Sequence, residues 1–245
     1  MVVSPRARGR DNKAADGTYF GKAPAAIVDL KAAVRYLRHN RGVMPGNTGW
    51  IVSTGGGAGG ALSALLGASG NSPLYDPYLE AIGAANEKDN IFGSADFCPI
   101  TDLDHADMAY DWMYGSQPAR MGAVDPASAN KFLKNLTAAR RSEYLAKNPW
   151  ITWTDKGAEF SCADFVKHVG RMKGQPAFDG FTLKSPENNL FGNTTIDSKH
   201  FTNFSLQKST GNPNATIDAE MQSVVNMMNP MFFIAQNNKE PAWRR

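Results

Sequence analysis

A cluster of glycines lies between a short apolar run and an alanine- and leucine-rich segment within residues 51–66. This arrangement predicts a strand, a tight turn and a helix, and two kinds of functional site are built on such a joint. In a nucleophile elbow, G-x-S-x-G, the turn presents a serine, and the next backbone N–H contributes to an oxyanion hole. In a dinucleotide fingerprint, G-x-G-x-x-G, the glycines let a pyrophosphate approach the helix N-terminus.

Four glycines carry both patterns. Gly55, Gly57 and Gly60 match the dinucleotide fingerprint. Gly55, Gly57 and Gly59 match the elbow, with glycine where that pattern has serine. In the elbow interpretation Gly57 stands at the nucleophile position, and the N–H of Ala58 is the candidate oxyanion-hole donor. Because glycine has no side-chain hydroxyl, it cannot attack an ester carbonyl from this position.

The dinucleotide interpretation also requires a carboxylate at the end of the next strand, about 20 residues further on. Asp76 and Glu80 lie at that distance, but their segment contains two prolines and has apolar residues at helical spacing. The fingerprint therefore lacks its second half. A nucleotide- or ligand-binding module that uses residues 55–60 as an anion cradle stays an alternative.

Further motifs accompany the glycine-rich turn. They are residues 4–11 (SPRARGRD), 21–40 (GKAPAAIVDLKAAVRYLRHN), 60–63 (GALS), 98–103 (CPITDL) and 106–110 (ADMAY). Over residues 3–114 this set resembles the subtype B tannase and feruloyl-esterase-like (BD-FAE-like) branch of the α/β-hydrolases. The elbow of that family has the form Gly-Thr-Ser-Ala-Gly-Gly, so the resemblance places Gly57 at its nucleophile serine.

The resemblance implies an α/β fold: a partial α/β-hydrolase with a mostly parallel sheet flanked by helices and a large helical, aromatic-rich lid insertion. We expect residues 1–114 to form a core fragment with the elbow and residues 115–214 to form the lid. Residues 215–245 are expected to return to the core and to end before the family's acid and histidine segments. The family's leading strands are expected to be absent as well.

Catalysis by this family requires a base and an acid after the nucleophile. The four histidines are His39, His105, His168 and His200, and none lies where the resemblance places the catalytic histidine. No acid or base is therefore assigned in this chain. A tannase- or feruloyl-esterase-like carboxylic ester hydrolase that acts on aryl esters is implied, and this chain is expected to be inactive as written.

Periodicity predicts the elements around the turn. Residues 24–40 form an amphipathic helix with its apolar stripe at Ile27, Leu30, Val34 and Leu37. Helix 75–85 and strand 90–100 complete an alternation that indicates a parallel sheet. Further helices are predicted from residue 126 through residue 145, over 159–173 and over 217–228. The start of the chain is expected to be the end of a strand.

The aromatic residues of the predicted lid suit the walls of a pocket for galloyl or feruloyl esters. The alternative is that they form the lid's own small core. They are Trp150, Trp153, Phe178, Phe181, Phe191, Phe201 and Phe204.

Composition excludes several other classes of function. The net charge of +3 is spread along the chain, so nucleic acid is not an expected partner, and no apolar run is long enough to cross a membrane. No cofactor is expected, and two cysteines, Cys98 and Cys162, give no zinc spacing; each is interpreted as a small buried residue. Without a signal peptide the chain is expected in the cytoplasm, or outside the cell if an N-terminal segment is missing.

Two charged clusters have a functional and a structural interpretation. Asp102, Asp104, Asp107 and Asp111 could bind calcium, but the glycine of a calcium loop is missing, and helix capping is favoured. The arginines at positions 6, 8 and 10 could bind an anionic substrate group, but a loop held by ion pairs is favoured.

Three functional interpretations stay open. The chain is a degenerate or fragmentary esterase; it is the central part of an active esterase seen in a serine-knockout form; or it is the ligand-binding module described above. A sheet without its flanking strands exposes edges, so a complementary chain or a homo-oligomer is an expected partner, besides a small aryl ester in the cleft between core and lid.

Overall fold

The computed structural model describes residues 1–108, 126–161, 164 and 178–237. The chain divides into two compact units. The first comprises Met1–Asp104, Asn189–Phe201 and Ile217–Arg245, and the second comprises His105–Asn188 and Thr202–Thr216.

The first unit begins with a βαβ arrangement preceded by a helix. In chain order its elements are α1 (Ala25–His39), β1 (Val52–Gly56), α2 (Ala58–Ala68), a 3-10 turn (Pro73–Tyr75), α3 (Asp76–Ala81) and β2 (Gly93–Phe97). Strands β1 and β2 pair in parallel, from Val52 opposite Gly93 to Gly56 opposite Phe97. Helix α2 connects them and packs on both strands. The predicted α/β class with a parallel sheet and flanking helices is confirmed.

Helix α1 confirms the stripe read from the sequence. Ile27, Val34 and Leu37 are buried, and Leu30 is half-buried. Lys31 is also fully buried. The fold tolerates this buried charge because its ammonium donates to the Asp89 carboxylate at 2.8 Å and to a backbone carbonyl. Burial by itself would raise the pKa of Asp89, but the adjacent Lys31 charge holds it below its usual value. This ion pair ties α1 to the loop that precedes β2.

The end of the chain returns to the first unit through two helices, α8 (Ala219–Met228) and α9 (Pro230–Asn237). Asp218 caps α8 by accepting a hydrogen bond from the Met221 N–H at 2.7 Å. The predicted helix at 217–228 is thus confirmed, and the apolar stretch after it forms α9, which contacts α2. The first residues of the chain are exposed and form no strand, so that expectation was wrong.

The second unit contains α4 (Pro126–Asn135), α5 (Ala138–Lys147), β3 (Thr152–Thr154) and β4 (Gly157–Glu159), with α7 (Asn203–Thr210) further along; the short helix α6 (Pro186–Leu190) lies between them in the chain. The prediction of a single long helix over 126–145 was wrong. Thr137 caps a new helix there, because its side chain accepts a hydrogen bond from the Arg140 N–H. Strands β3 and β4 form an antiparallel hairpin. Gly157, with φ 120°, permits its turn.

The helix predicted over 159–173 overlaps that hairpin at its first residue, because Glu159 belongs to β4. Most of the rest of the predicted helix lies outside the described residues. Leu133, Ile151 and Ala158 form a small buried core in this unit. In the part of the chain that the structure describes, no helix combines the length and apolar character needed to span a membrane.

Candidate functional site

The turn between β1 and α2 holds Gly57 in an unusual backbone conformation, with φ 59° and ψ −121°. Its N–H donates to the Phe97 carbonyl of β2 at 2.9 Å, and its carbonyl accepts from the Ala61 N–H at 3.0 Å. The residue is therefore fixed by the strand on one side and the helix on the other. L-amino acids adopt such positive-φ conformations at a cost, and proteins retain them mostly at functional positions.

Two neighbouring glycines are required by close packing of backbone on backbone. A Cβ on Gly55 would lie 2.3 Å from the Gly59 carbonyl oxygen, and a Cβ on Gly60 would lie 2.5 Å from the Phe97 oxygen. By contrast, a Cβ on Gly57 or Gly59 would meet no atom within 4 Å. Gly55 and Gly60 thus let α2 approach the sheet, whereas the space above Gly57 is open for a side chain.

The chemistry available at this turn is hydrogen-bond donation to an anion. The first backbone N–H groups of a helix have no partner within the helix, and the positive end of the helix dipole lies there. Ala58 is the first residue of α2, directly after Gly57, and both are exposed. The N–H of Ala58 is therefore exposed at the positive end of the α2 dipole, and residue 57 has no side chain.

The carboxylates that a dinucleotide site would need lie elsewhere. Asp76 and Glu80 are part of α3, and Asp76 forms an ion pair with Arg35 at 3.4 Å. Neither follows a strand. The structure therefore does not bring the two halves of the dinucleotide fingerprint together.

Cys98 was interpreted as a buried residue, and this was wrong. Strand β2 ends at Phe97, and Cys98 follows it as an exposed free thiol with φ 52°. No periodicity signal indicates this, because the apolar run continues past the point where the strand stops. Cys162 lies outside the described residues.

The histidines stay without a catalytic assignment. His39 is exposed in the last turn of α1, His105 is exposed, and His200 is half-buried. His168 lies outside the described residues. Among the residues that the structure describes, no group of three His, Cys, Asp or Glu side chains is arranged to hold a metal ion.

The aspartate cluster after β2 binds protein groups. Asp104 accepts a hydrogen bond from the Asn229 amide at 2.8 Å. Asp107 accepts from the backbone N–H groups of Phe178 and Asp179, both at 2.7 Å. Burial nevertheless raises the pKa of Asp107 to about 6. These carboxylates hold neighbouring segments in place; Asp102 is half-buried, and Asp111 lies outside the described residues.

At Arg8 the structure agrees with the interpretation of the arginine-rich segment as a loop held by ion pairs. Its guanidinium and backbone N–H bind the Asp29 carboxylate, with a shortest side-chain distance of 2.8 Å. A cavity of about 360 Å³ lies beside this loop within the first unit, lined in part by Val28, Phe191 and Met221. Lys22 at its edge donates to Asp197, so this cation is already paired.

Several aromatic residues of the predicted lid form cores. Phe191 and Phe201 are fully buried and stack on each other with ring centroids 4.2 Å apart. Trp150 and Trp153 pack on the small core of the second unit. Trp150 and Trp153 thus pack on a core of the second unit, as the core interpretation expected, whereas Phe191 and Phe201 are buried in the first unit. Phe181 and Phe204 also contact each other, with ring centroids 6.3 Å apart.

The chain is similar to known esterases. A family model described as BD-FAE matches residues 18–151. Esterase LipQ of Mycobacterium tuberculosis is 33% identical over 90 residues, which are 37% of this chain and 20% of that protein. The chain thus spans about a fifth of the length of this curated relative.

Solved structures of tannases match most of the chain. The Fusobacterium nucleatum tannase is 35% identical with a TM-score of 0.65, over 93% of this chain and 63% of that one. A tannin acyl hydrolase in complex with ethyl gallate is 33% identical with a TM-score of 0.67, over 94% and 61%. A tannase from Lactobacillus plantarum is 33% identical with a TM-score of 0.67, over 93% and 61%. The chain therefore spans less than two thirds of these proteins.

Proposed function

Because the chain belongs to the BD-FAE family, we propose that it is a tannase-like esterase fold that binds aryl esters and does not hydrolyse them. One observation carries the loss of hydrolysis. The residue at the turn between β1 and α2 has the fixed, positive-φ conformation of a nucleophile position and is glycine. The donor side of the reaction is retained at Ala58, and the attacking atom is missing.

The ester specificity is proposed from the neighbours. One solved structure that resembles this chain is a tannin acyl hydrolase bound to ethyl gallate, and another is bound to 3,4-dihydroxybenzoate. Esters of phenolic acids are therefore the class of ligand that we assign to this chain. The carbonyl oxygen of such an ester would accept a hydrogen bond from the Ala58 N–H, which is the role of an oxyanion-hole donor.

The size of the expected defect follows from how a catalytic triad works. Removal of the serine alone lowers the turnover number by about 2 × 10⁶ in a well-studied serine protease, and removal of its partners adds little. Here we assign neither the acid nor the base to any residue of this chain.

The test is an ester hydrolysis assay on the unaltered chain with ethyl gallate and p-nitrophenyl acetate. We expect no turnover above buffer, together with saturable binding of 3,4-dihydroxybenzoate by calorimetry. Gly57→Ser in the same chain is expected to stay without turnover because no base is assigned. Turnover by the unaltered chain would refute the loss of hydrolysis, and turnover by Gly57→Ser alone would show that a base is present. Absence of ligand binding would refute the ester-binding function.

The alternative in which this chain is a serine-knockout form of an active esterase shares the same geometry. It predicts that Gly57→Ser gains activity when an acid and a histidine are supplied by a further segment. An active complex of that kind would favour this alternative over a degenerate esterase.

A further inference from the structure

The cavity of about 360 Å³ beside the arginine-rich loop lies within the first unit and is mainly apolar. Its buried lining comes from Val28 of α1, from Phe191 and from Met221 of α8. Tyr78 and Ile82 also line it and are open to solvent. The described residues of the glycine turn, 55–60, do not line it. We call this hollow the inner cavity.

A second cavity, of about 560 Å³, adjoins the inner cavity and is also built from the first unit. Arg8, Phe20 and Ile82 line both, so the two cavities are neighbours. Arg6 and Asn12 line only the second one and are exposed. We call it the outer cavity. Each volume lies in the range of roughly 300–1,000 Å³ that small-molecule sites occupy, and such sites are mostly apolar with a few polar groups.

Arg6 supplies an uncompensated positive charge on these walls. The Arg8 guanidinium is paired with Asp29 at 2.8 Å, and the Lys22 ammonium is paired with Asp197 at 3.2 Å. Arg6, by contrast, has no hydrogen bond and no ion pair within the part of the chain that the structure describes. The outer cavity therefore offers one unpaired guanidinium to a ligand, and a guanidinium binds a carboxylate through two parallel hydrogen bonds.

Arg8 adds neutral hydrogen-bonding capacity where the two cavities meet. Its backbone N–H, Nε and Nη2 all donate to the Asp29 carboxylate. A guanidinium carries five N–H groups, and the two on Nη1 have no acceptor among the described residues. Because Asp29 already holds the side chain, a ligand that accepts from Nη1 does not have to order it, and this lowers the entropic cost of binding.

Glu220 determines which end of a ligand enters which cavity. It lines only the inner cavity, where its carboxylate repels an anionic group, whereas Arg6 lines only the outer one. One unpaired cation also matches a single negative charge better than the double charge of a phosphate. We propose that the two cavities form a binding site for a monocarboxylate with an apolar body, whose carboxylate accepts hydrogen bonds from Arg6 and Arg8 while its body lies against Val28 and Met221.

The test is a calorimetric titration of the full 245-residue chain with sodium octanoate at low salt. 1-Octanol serves as the neutral probe with the same chain length. We expect saturable binding of octanoate. Arg6→Ala should weaken octanoate binding about tenfold, which corresponds to one hydrogen bond between charged groups, and should leave octanol binding unchanged. Arg6→Lys should recover most of the loss. Arg41→Ala is the matched control, because Arg41 is exposed in the same unit and lines neither cavity.

A second pair of variants tests the location of the site. Ile82→Asp adds a carboxylate where the cavities meet and should weaken octanoate binding at least tenfold, whereas Ile82→Asn, without the charge, should retain most of it. Ile82 is 41% exposed, so both variants are expected to fold. 3-Phenylpropionate carries the same carboxylate on an aromatic body. Tighter binding of octanoate would support an aliphatic acid as the ligand, and tighter binding of 3-phenylpropionate would support an aromatic acid.

Four results would overturn the proposal. They are absence of saturable binding by the unaltered chain, unchanged octanoate binding by Arg6→Ala, an equal loss of octanoate and octanol binding in that variant, and undiminished octanoate binding by Ile82→Asp. An equal loss of both probes would mean that Arg6 acts on the fold and not on the carboxylate. Because binding is measured without hydrolysis and residue 57 lines neither cavity, the inference does not depend on the proposed function.

Discussion

The substitution Gly57→Ser measures how much free energy the backbone conformation of this turn costs a residue with a side chain, separately from any catalytic effect. The backbone there has φ 59° and ψ −121°, and such a conformation costs a residue with a Cβ about 1–3 kcal/mol. A Cβ at this position meets no atom within 4 Å, so no steric collision adds to that cost. We expect Gly57→Ser to lower the free energy of unfolding by about 1–3 kcal/mol.

The measurement is urea unfolding followed by tryptophan fluorescence, with a thermal melt beside it. For a chain of this size each 1 kcal/mol corresponds to a shift in Tm of about 2–4 °C. Gly57→Ala is the matched control, since it introduces the same Cβ without a hydroxyl and should lose the same free energy. A fluorophosphonate should label neither the unaltered chain nor Gly57→Ala at this position.

Two results would refute this reasoning. An unchanged free energy of unfolding in both variants would mean that the turn adopts an ordinary conformation in solution. A loss well above about 4 kcal/mol would mean that the space above residue 57 is filled, since large losses come from overpacking or buried unpaired groups. A difference between the serine and alanine variants would show that the hydroxyl itself makes a contact.

Four further substitutions test the packing of the turn, the buried ion pair and the Asp107 carboxylate. Gly55→Ala should destabilise by about 3 kcal/mol, because its Cβ would lie 2.3 Å from a backbone oxygen, whereas Gly59→Ala should stabilise by up to about 1 kcal/mol; chemical unfolding measures both. Asp89→Asn leaves the fully buried Lys31 ammonium without its counter-charge and should cost about 3–5 kcal/mol in the same measurement. Asp107 has a pKa raised to about 6 from 3.8, so its contribution to stability is complete below about pH 4 and is lost as the pH rises through about 6. Asp107→Asn should remove that dependence, worth about 2–3 kcal/mol, from the unfolding of the second unit between pH 4 and pH 7.

A different result would contradict each of these predictions. Equal effects of Gly55→Ala and Gly59→Ala would mean that α2 does not approach the strand as closely as the distances show. A loss below about 1 kcal/mol in Asp89→Asn, the range of an exposed pair such as Arg41–Glu87, would show that Lys31 reaches water. A pH profile that Asp107→Asn leaves unchanged would assign the dependence to another group.

The sequence predicted the parts of the fold that depend on local pattern. The stripe of α1 and the strand–turn–helix joint follow from periodicity and from the glycine cluster, and both were confirmed. Local pattern was not sufficient for the ends of elements. Thr137 begins a new helix inside an apolar period that continues across it, and Cys98 follows a strand that ends earlier than its apolar run.

The sequence could not predict contacts between residues that are far apart in the chain. The carboxylate of Asp107 is bound by backbone N–H groups more than seventy positions away, so its neighbourhood in the sequence indicated only a helix cap or a calcium loop. Similarly, Phe191 and Phe201 were grouped with the lid by composition, but their burial depends on how the chain returns to the first unit. Composition gives the number of aromatic residues and not the surface on which they pack.

The glycines of the turn show that architecture and chemistry are separable at this site. Gly55 and Gly60 have no room for a Cβ, so the close approach of α2 to the strands depends on them. Gly57 has room for one, and its two backbone hydrogen bonds need no side chain. A Cβ at that position would therefore add backbone strain and no packing contact. In our proposal, glycine at position 57 keeps the packing of the turn and the exposed N–H at the start of α2, and it leaves out the attacking atom.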